Sequence, residues 1–341
     1  MKKYLLPKDG NFYKANLHCH SVLSDGEKTP EEIKALYKEK GYSIVAYTDH
    51  DIFIPHNDLT DDTFLALNGF EVEVNEEYNG RDFNHVKTSH ICFIALKSDN
   101  FIHPLWHREK YLFGNAPKYK ELVQFDETKP DYERHFDGET ISDIMHKGRE
   151  AGFFVTYNHP TWSLESYPEY MSYNGMHAFE MFNGCLSVGY EDYNPRVYDD
   201  LLCGGKRIYC IGADDNHNHK PDNSRYSDSG WAFTVIKADK LSYESITDAM
   251  VNGNFYASEG PEIDELYYED GKAYIKCSSA DRVLLNTQYR FADIKLDETG
   301  DGICEASFDV NPACGYFRLT VIDKNGKHAC TNAYFIDELT D

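Results

Sequence analysis

No Cys-x-x-Cys pair occurs in the 341 residues, and the nine cysteines are odd in number. A chain of this length can build a core without disulfides, so reduced, mostly buried thiols in a cytoplasmic protein are expected. No apolar run approaches the roughly 18 residues of a membrane span. The opening Met1-Lys2-Lys3-Tyr4-Leu5-Leu6-Pro7 lacks the apolar stretch of a signal peptide. Basic residues are scarce, 34 against 58 acidic ones, for a net charge of −24. Such a surface repels phosphate backbones and anionic lipid, so neither a nucleic-acid polymer nor a membrane is expected as a partner. A small anionic substrate stays open, because bound metal ions invert the local field.

What is present is a globular composition, 41% hydrophobic and 14% aromatic, in a length that suggests about two domains. A unit of helix, glycine, strand and polar residues recurs. Thr29-Pro30-Glu31-Glu32 starts a helix with a capping box, its stripe is Ile33, Leu36 and Tyr37, and Gly41 stops it. A strand over 43–48 then runs into Asp49-His50. The second unit starts near Glu139, with Ile141, Ile144, Met145 and Gly148 on the helix face, a strand over 153–157 and then His159. The third starts near Pro195, ends its helix at Gly204-Gly205, and runs a strand over 208–211 towards Asp215 and His217. Alternating helices and strands predict parallel pairing. Residues placed repeatedly after strands suit the C-terminal face of an α/β barrel.

The polar residues at those ends carry the chemistry. His18, His20, Asp25, His50, Glu71, His90, His159, Asp215 and His217 are imidazoles and carboxylates, donors for Zn, Mn or Fe. His18 and His20, two apart, share one side of an extended chain. Four ligands would complete a single structural zinc site. Nine point to two or three divalent ions sharing bridging carboxylates, which is hydrolase chemistry. Each piece alone is weak, since Asp25-Gly26 reads as a turn and Asp49-His50 as a cap. Their common placement after strands makes a joint accident improbable. His56, His103 and His107 read as packing or surface histidines.

The segment 97–136 breaks the rhythm, being long, polar and aromatic, and reads as an insertion near the site mouth. After about residue 260 strands follow one another over 282–286, 289–296, 304–310 and 316–322. Lys324-Asn325-Gly326-Lys327 is a hairpin turn.

The run Asn16-Leu17-His18-Cys19-His20-Ser21-x-x-Ser24-Asp25-Gly26, then Thr29-Pro30-Glu31-Glu32, then Tyr47-Thr48-Asp49-His50-Asp51, resembles the polymerase and histidinol phosphatase (PHP) superfamily. The resemblance extends through Glu71, His90, His159-Pro160 and Asp215-x-His217, about the first 220 residues. The segment from Ala249 to Pro261 is more loosely similar to the carbaryl-hydrolase-like branch. The resemblance implies an α/β fold, a distorted seven-stranded (β/α) PHP barrel with two or three divalent ions. This barrel would span 1–260, with a small C-terminal antiparallel β domain over 261–341. It implies the nine ligands named above, with Glu71 bridging, Asp25, Glu71 and His217 acting through the ions, and Asp49 orienting His50 or its neighbours. The family pattern Gly-Ser-Asp-x-His departs here to Gly212-Ala213-Asp214-Asp215-Asn216-His217. Asp215 keeps the spacing, and Asp214 stays open.

The leading expectation is a metal-dependent phosphoesterase acting on a small phosphate ester or nucleotide through a metal-bridged hydroxide. Amide, carbamate or carboxylic ester hydrolysis on the same site is the alternative. A non-catalytic binding protein is the third reading, which a complete ligand set opposes. Arg196, Lys28 and His219 are candidates to touch substrate. Cations facing the ligands would favour phosphate, and an apolar, Tyr-lined pocket a neutral carbonyl.

Overall fold

The structure, a computed structural model, describes residues 2–185 and 193–339. Its first part runs β1 (Lys3–Tyr4), β2 (Asn11–Asn16), α1 (Pro30–Glu39), β3 (Ile44–Tyr47), β4 (Leu65–Asn75) and β5 (Thr88–Ala95). It continues α2 (Gly138–Glu150), β6 (Phe153–Tyr157), α3 (Tyr167–Ser172), β7 (Ala178–Asn183), α4 (Pro195–Cys203) and β8 (Tyr209–Ala213). Then come β9 (Phe233–Ala238), α5 (Tyr243–Val251) and β10 (Phe255–Ser258). This is a mixed α/β fold in which strands predominate.

The capping signals work as read. Thr29 accepts from the Glu32 amide and Glu32 answers from its side chain to the Thr29 amide, while Ile33, Leu36 and Tyr37 are buried. Asp137 caps α2 in the same role.

The main sheet carries β2, β3, β4, β5, β6, β7 and β8 side by side. Pairing is parallel for β2–β3, β3–β4, β6–β7 and β7–β8. The uniformly parallel pairing expected from the sequence is corrected at β5, which is antiparallel to both β4 and β6. The cause is local: β4 and β5 are joined by residues 76–87 with no intervening α-helix, so the chain turns back on itself. The first half of β4 pairs with β3 and the second half with β5. Beyond the ends of β2 and β8 the chain pairs again, the Asp215 amide donating to the His18 carbonyl and the His20 amide to that of Asn216. Alternate residues of these strands (Ala15, Ile44, Leu65, Ile94, Phe154, Ala178, Ile211) form one buried cluster with Ile246, Ala249 and Met250 of α5.

Downstream lie β11 (Ile263–Glu269), β12 (Lys272–Ala280), β13 (Arg282–Thr287), β14 (Ala292–Leu296), β15 (Ile303–Asp309), β16 (Tyr316–Ile322), β17 (His328–Thr331), β18 (Tyr334–Phe335) and the short α6 (Ile336–Leu339). Their mutual pairings are all antiparallel. A four-stranded sheet, β1-β11-β12-β15, faces the β13–β16–β17 part of the main sheet across Leu266, Ile275, Val283, Phe308, Leu319 and Val321. Hydrogen bonding crosses residue 260, because β17 pairs with β10 and β1 with β11. The β11–β12 hairpin turns on Asp270-Gly271, both at positive φ, a signal the sequence reading passed over.

The insertion 97–136 contains only short 3₁₀ turns and a small core of Trp106, Ala116 and Val123 with Ile52. Its tip presses on the loop that carries Asp25. The Asn115 amide donates to the Ser24 carbonyl, and a Cβ on Gly114 would stand 2.3 Å from that oxygen. No helix among the described residues is long and apolar enough to cross a membrane.

Candidate metal centre

His18 and His20 lie just past β2 rather than within it. The strand-like alternation persists, so both rings turn one way and their Nε2 atoms come within 3.1 Å. Asp25 sits in the next loop, where Asp49 accepts from the amides and hydroxyls of both Ser21 and Ser24. Asp49 thus shapes the loop carrying Asp25, rather than holding the His50 ring. Gly26 is required there, since a Cβ would stand 2.6 Å from the His20 carbonyl oxygen. Two further positions refine the rule that these residues follow strands. Glu71 lies inside the 11-residue β4, and His90 inside β5 near its start. Because β5 runs opposite to its neighbours, its beginning lies where their ends do.

All nine residues converge on one place. The Glu71 carboxylate is the hub: Oε1 lies 3.1 Å from His18 Nε2 and 3.6 Å from His159 Nε2. Its Oε2 lies 3.3 Å from His90 Nδ1 and 3.4 Å from both His20 Nε2 and His50 Nδ1. Asp215 Oδ1 is 3.1 Å from the Nε2 of both His18 and His20. Asp25 Oδ2 is 3.3 Å from His217 Nε2 and 3.8 Å from His50 Nε2. Two of the nine backbones are strained, Asp215 at φ +51° and His159 at φ +24°.

The donor set fits divalent ions. His18, His20 and Asp215 form a triangle with 3.1 Å edges, against about 3.3 Å between donors around a tetrahedral zinc ion. His20 Nδ1, His50 Nδ1, Glu71 Oε2 and His90 Nε2 are buried without a hydrogen-bond partner, a costly arrangement unless a cation is held among them. The electrostatics agree. Burial works against charge on His90, yet Glu71 and Glu73 together push it up to about 10. Burial likewise opposes charge on His18 and His217, but Asp215 and Glu71 raise the first and Asp25 the second. Glu71 and Asp215, despite burial, are held below the usual carboxylate range by the surrounding imidazoles. The cluster draws positive charge into a buried space.

The sequence reading missed the residues that orient these rings. Glu180 on β7, fully buried, accepts from His18 Nδ1 at 2.9 Å and from the His159 amide. An acid between Phe179 and Met181 in an apolar run was the available signal. Asn158 donates to Glu71, Asn183 to Asp215, and His217 Nδ1 to the Asp215 carbonyl. Asp214 does not join the cluster. Its carboxylate accepts from the Gly230, Trp231 and Ala232 amides and from the Tyr37 hydroxyl, and burial pushes it up to about 6.

A cavity of about 270 Å³ opens over the cluster, lined by seven of the nine, all but His18 and His20, together with Glu73, Phe83, Phe113, Trp162, Cys185 and His219. His219 stands at its rim, its ring 5.6 Å from that of His217. The expectation for Arg196 is corrected. It projects from α4 with its side chain 85% exposed, pairs with Asp200, and is not part of the cavity lining, because the helix turns it outward. Lys28 pairs with Asp222 and does not line the cavity either. No lysine or arginine is among the described lining residues.

No family model matches the sequence, and no curated protein matches it. Among solved structures the chain is similar to a two-domain protein of Bacteroides vulgatus containing a predicted PHP-like metal-dependent phosphoesterase. That likeness has 16% identity, covers 98% of this chain and 90% of that one, and has a TM-score of 0.46. It is similar to a candidate metal-dependent phosphoesterase of Bifidobacterium adolescentis at 14% identity, over 65% of this chain and 93% of that one, with a TM-score of 0.40. It is also similar to an amidohydrolase of Chromobacterium violaceum with bound sulfate and no metal, at 15% identity, over 60% and 87%, with a TM-score of 0.35.

Proposed function

We propose that the protein is a metal-dependent hydrolase of small molecules, with a phosphate ester or nucleotide as the leading substrate class. One observation carries the proposal: a single buried carboxylate, Glu71, lies within 3.6 Å of five imidazoles. His18, His20 and Asp215 would hold one divalent ion, Glu71, His50 and His90 a second, and Asp25, His217 and the shared His20 and His50 rings a third. Bound ions of this kind supply Lewis acidity and lower the pKa of water. The chain's own residues do the rest. Glu180 fixes the His18 ring so that Nε2 faces the centre, and Asn158 and Asn183 hold Glu71 and Asp215 in place. Phe113 and Trp162 line the mouth of the cavity. With three carboxylates among nine donors, three ions would keep a positive excess, which suits an anionic substrate oxygen. The hydrogen bonds joining the runs after β2 and β8 support reading β2 to β8 as the distorted seven-stranded barrel. We propose residues 261–341 as a β domain, joined to the first part through the β10–β17 and β1–β11 pairings.

A second reading, hydrolysis of an amide, carbamate or carboxylic ester, is favoured by the aromatic cavity wall without lysine or arginine. The test is phosphate release by Mn-reconstituted protein from a panel of phosphomonoesters and nucleotides, with His20→Ala as control. Turnover lost in the variant supports the phosphoesterase reading. Silence across the panel from protein with metal bound transfers the proposal to the carbonyl series.

A further inference from the structure

Three large aromatic side chains from three separate segments meet at the mouth of the cavity. Phe83 comes from the turn between β4 and β5, Phe113 from the insertion, and Trp162 from the loop after β6. Phe113 stands 5.8 Å from the His50 ring, and Trp162 stands 5.3 Å from both His90 and His159, each nearly perpendicular to its neighbour. Phe83 packs on Trp162 at 5.9 Å. Phe83 is 36% and Phe113 49% exposed. Apolar rings left open to water around a polar centre are stabilised by whatever covers them.

Resting on the hydrolase reading above, we infer that the substrate carries a flat, apolar aromatic ring, held by Phe83, Phe113 and Trp162 while its reacting group reaches the imidazole–carboxylate cluster. The size is suitable. An apolar cavity of about 150 Å³ holds benzene, so the 270 Å³ here has room for a ring and an attached phosphoryl or carbonyl group. The chemistry is selective as well. A methyl or other small group placed against these rings leaves their apolar faces open to water. An aryl group instead gains edge and face contacts that a methyl group cannot make.

The test is a binding comparison on Mn-loaded protein by titration calorimetry, with two pairs of non-reacting probes: phenylphosphonate against methylphosphonate, and benzoate against acetate. The inference expects the aryl member of at least one pair to bind on the order of tenfold more tightly. It expects that gap to collapse in Phe113→Ala and in Trp162→Leu, and to persist in the conservative Phe113→Tyr. Thermal melts of each variant separate a lost subsite from a lost fold. Equal affinities within both pairs, an aryl gap that survives both substitutions, or no binding by any probe, overturns it. Which pair binds reports independently on the bond class, so the aromatic subsite can fail while the phosphoesterase reading stands, and the reverse.

Discussion

Nδ1 of His18 donates to the buried carboxylate of Glu180 at 2.9 Å, leaving Nε2 as the ring's lone-pair nitrogen, 3.1 Å from oxygens of both Glu71 and Asp215. A lone pair facing two carboxylates is repulsive unless a cation, proton or metal, lies between them. Glu180 therefore sets both the orientation of the ring and its appetite for positive charge.

Replacing that carboxylate keeps the shape and removes the charge. Glu180→Gln is expected to lower metal affinity by roughly 10- to 100-fold, the usual effect of removing a partner that orients a ligand. Equilibrium dialysis with elemental analysis measures it. An affinity equal to that of the unaltered protein would mean that His18 does not hold an ion.

Protons and metal ions compete for the same nitrogens. His18, His90 and His217 all hold protons more tightly than a free imidazole, His90 up to about 10, because buried carboxylates face them. A proton on any of these nitrogens must leave before the nitrogen can accept a metal ion. Metal uptake should release protons, and affinity should climb as the pH rises from about 6.5 to 8.5. The stability of the metal-free cluster runs the other way for these histidines: a raised folded pKa contributes fully below the unfolded value and is lost as the pH rises through the folded one. Calorimetry in buffers of different protonation enthalpy counts the protons released. A count of zero contradicts the assignment of these rings as ligands.

Much of this centre was legible because helix caps and strand ends are local. The capping box at Thr29 and Glu32 needs only four residues, and Asp215 was preferred to Asp214 because it keeps the Asp-x-His spacing of the family the sequence resembles. What escaped depends on partners distant in the chain. Nothing around His90 shows that β5 runs backwards, since alternation of side chains is the same in either direction. Glu180 looked like one acid in an apolar strand until β7 was placed beside His18. Arg196 was selected for its charge, but the rotation of α4 decides where a side chain points. Trp162 and Phe113 gave no sign of a shared mouth, because their segments meet only in the folded chain.

A buried ion pair helps to fasten the insertion to the centre. Arg134, near its end, bonds to Asp51, immediately after His50, and donates to the Glu73 carbonyl at 3.0 Å, with both charged side chains almost fully buried. Arg134→Met leaves the Asp51 carboxyl buried and unpaired, which should cost about 3–5 kcal/mol. Asp51→Asn with Arg134→Met should recover much of that loss, because no isolated charge is left behind. Denaturant unfolding measures both, and limited proteolysis within 97–136 reports whether the insertion has loosened. Equal stability of the single variant and the original would show that the pair does not fasten it.

Asp214 and Asp215 are adjacent, and their carboxylates do opposite work. Asp214 binds three backbone amides and a tyrosine hydroxyl, whereas Asp215 faces His18 and His20. Asn at 214 turns an amide group towards donors that need an acceptor, so Asp214→Asn should destabilise the fold by about 1–3 kcal/mol. Its metal content should stay that of the original protein. Asp215→Asn keeps an oxygen but weakens the charge facing two imidazoles, and should lose at least one ion while unfolding at a similar denaturant concentration when both proteins are metal-free. Paired metal analysis and urea titration of the two variants separate these roles. The reverse pattern, metal lost at 214 and stability lost at 215, would exchange the assignments.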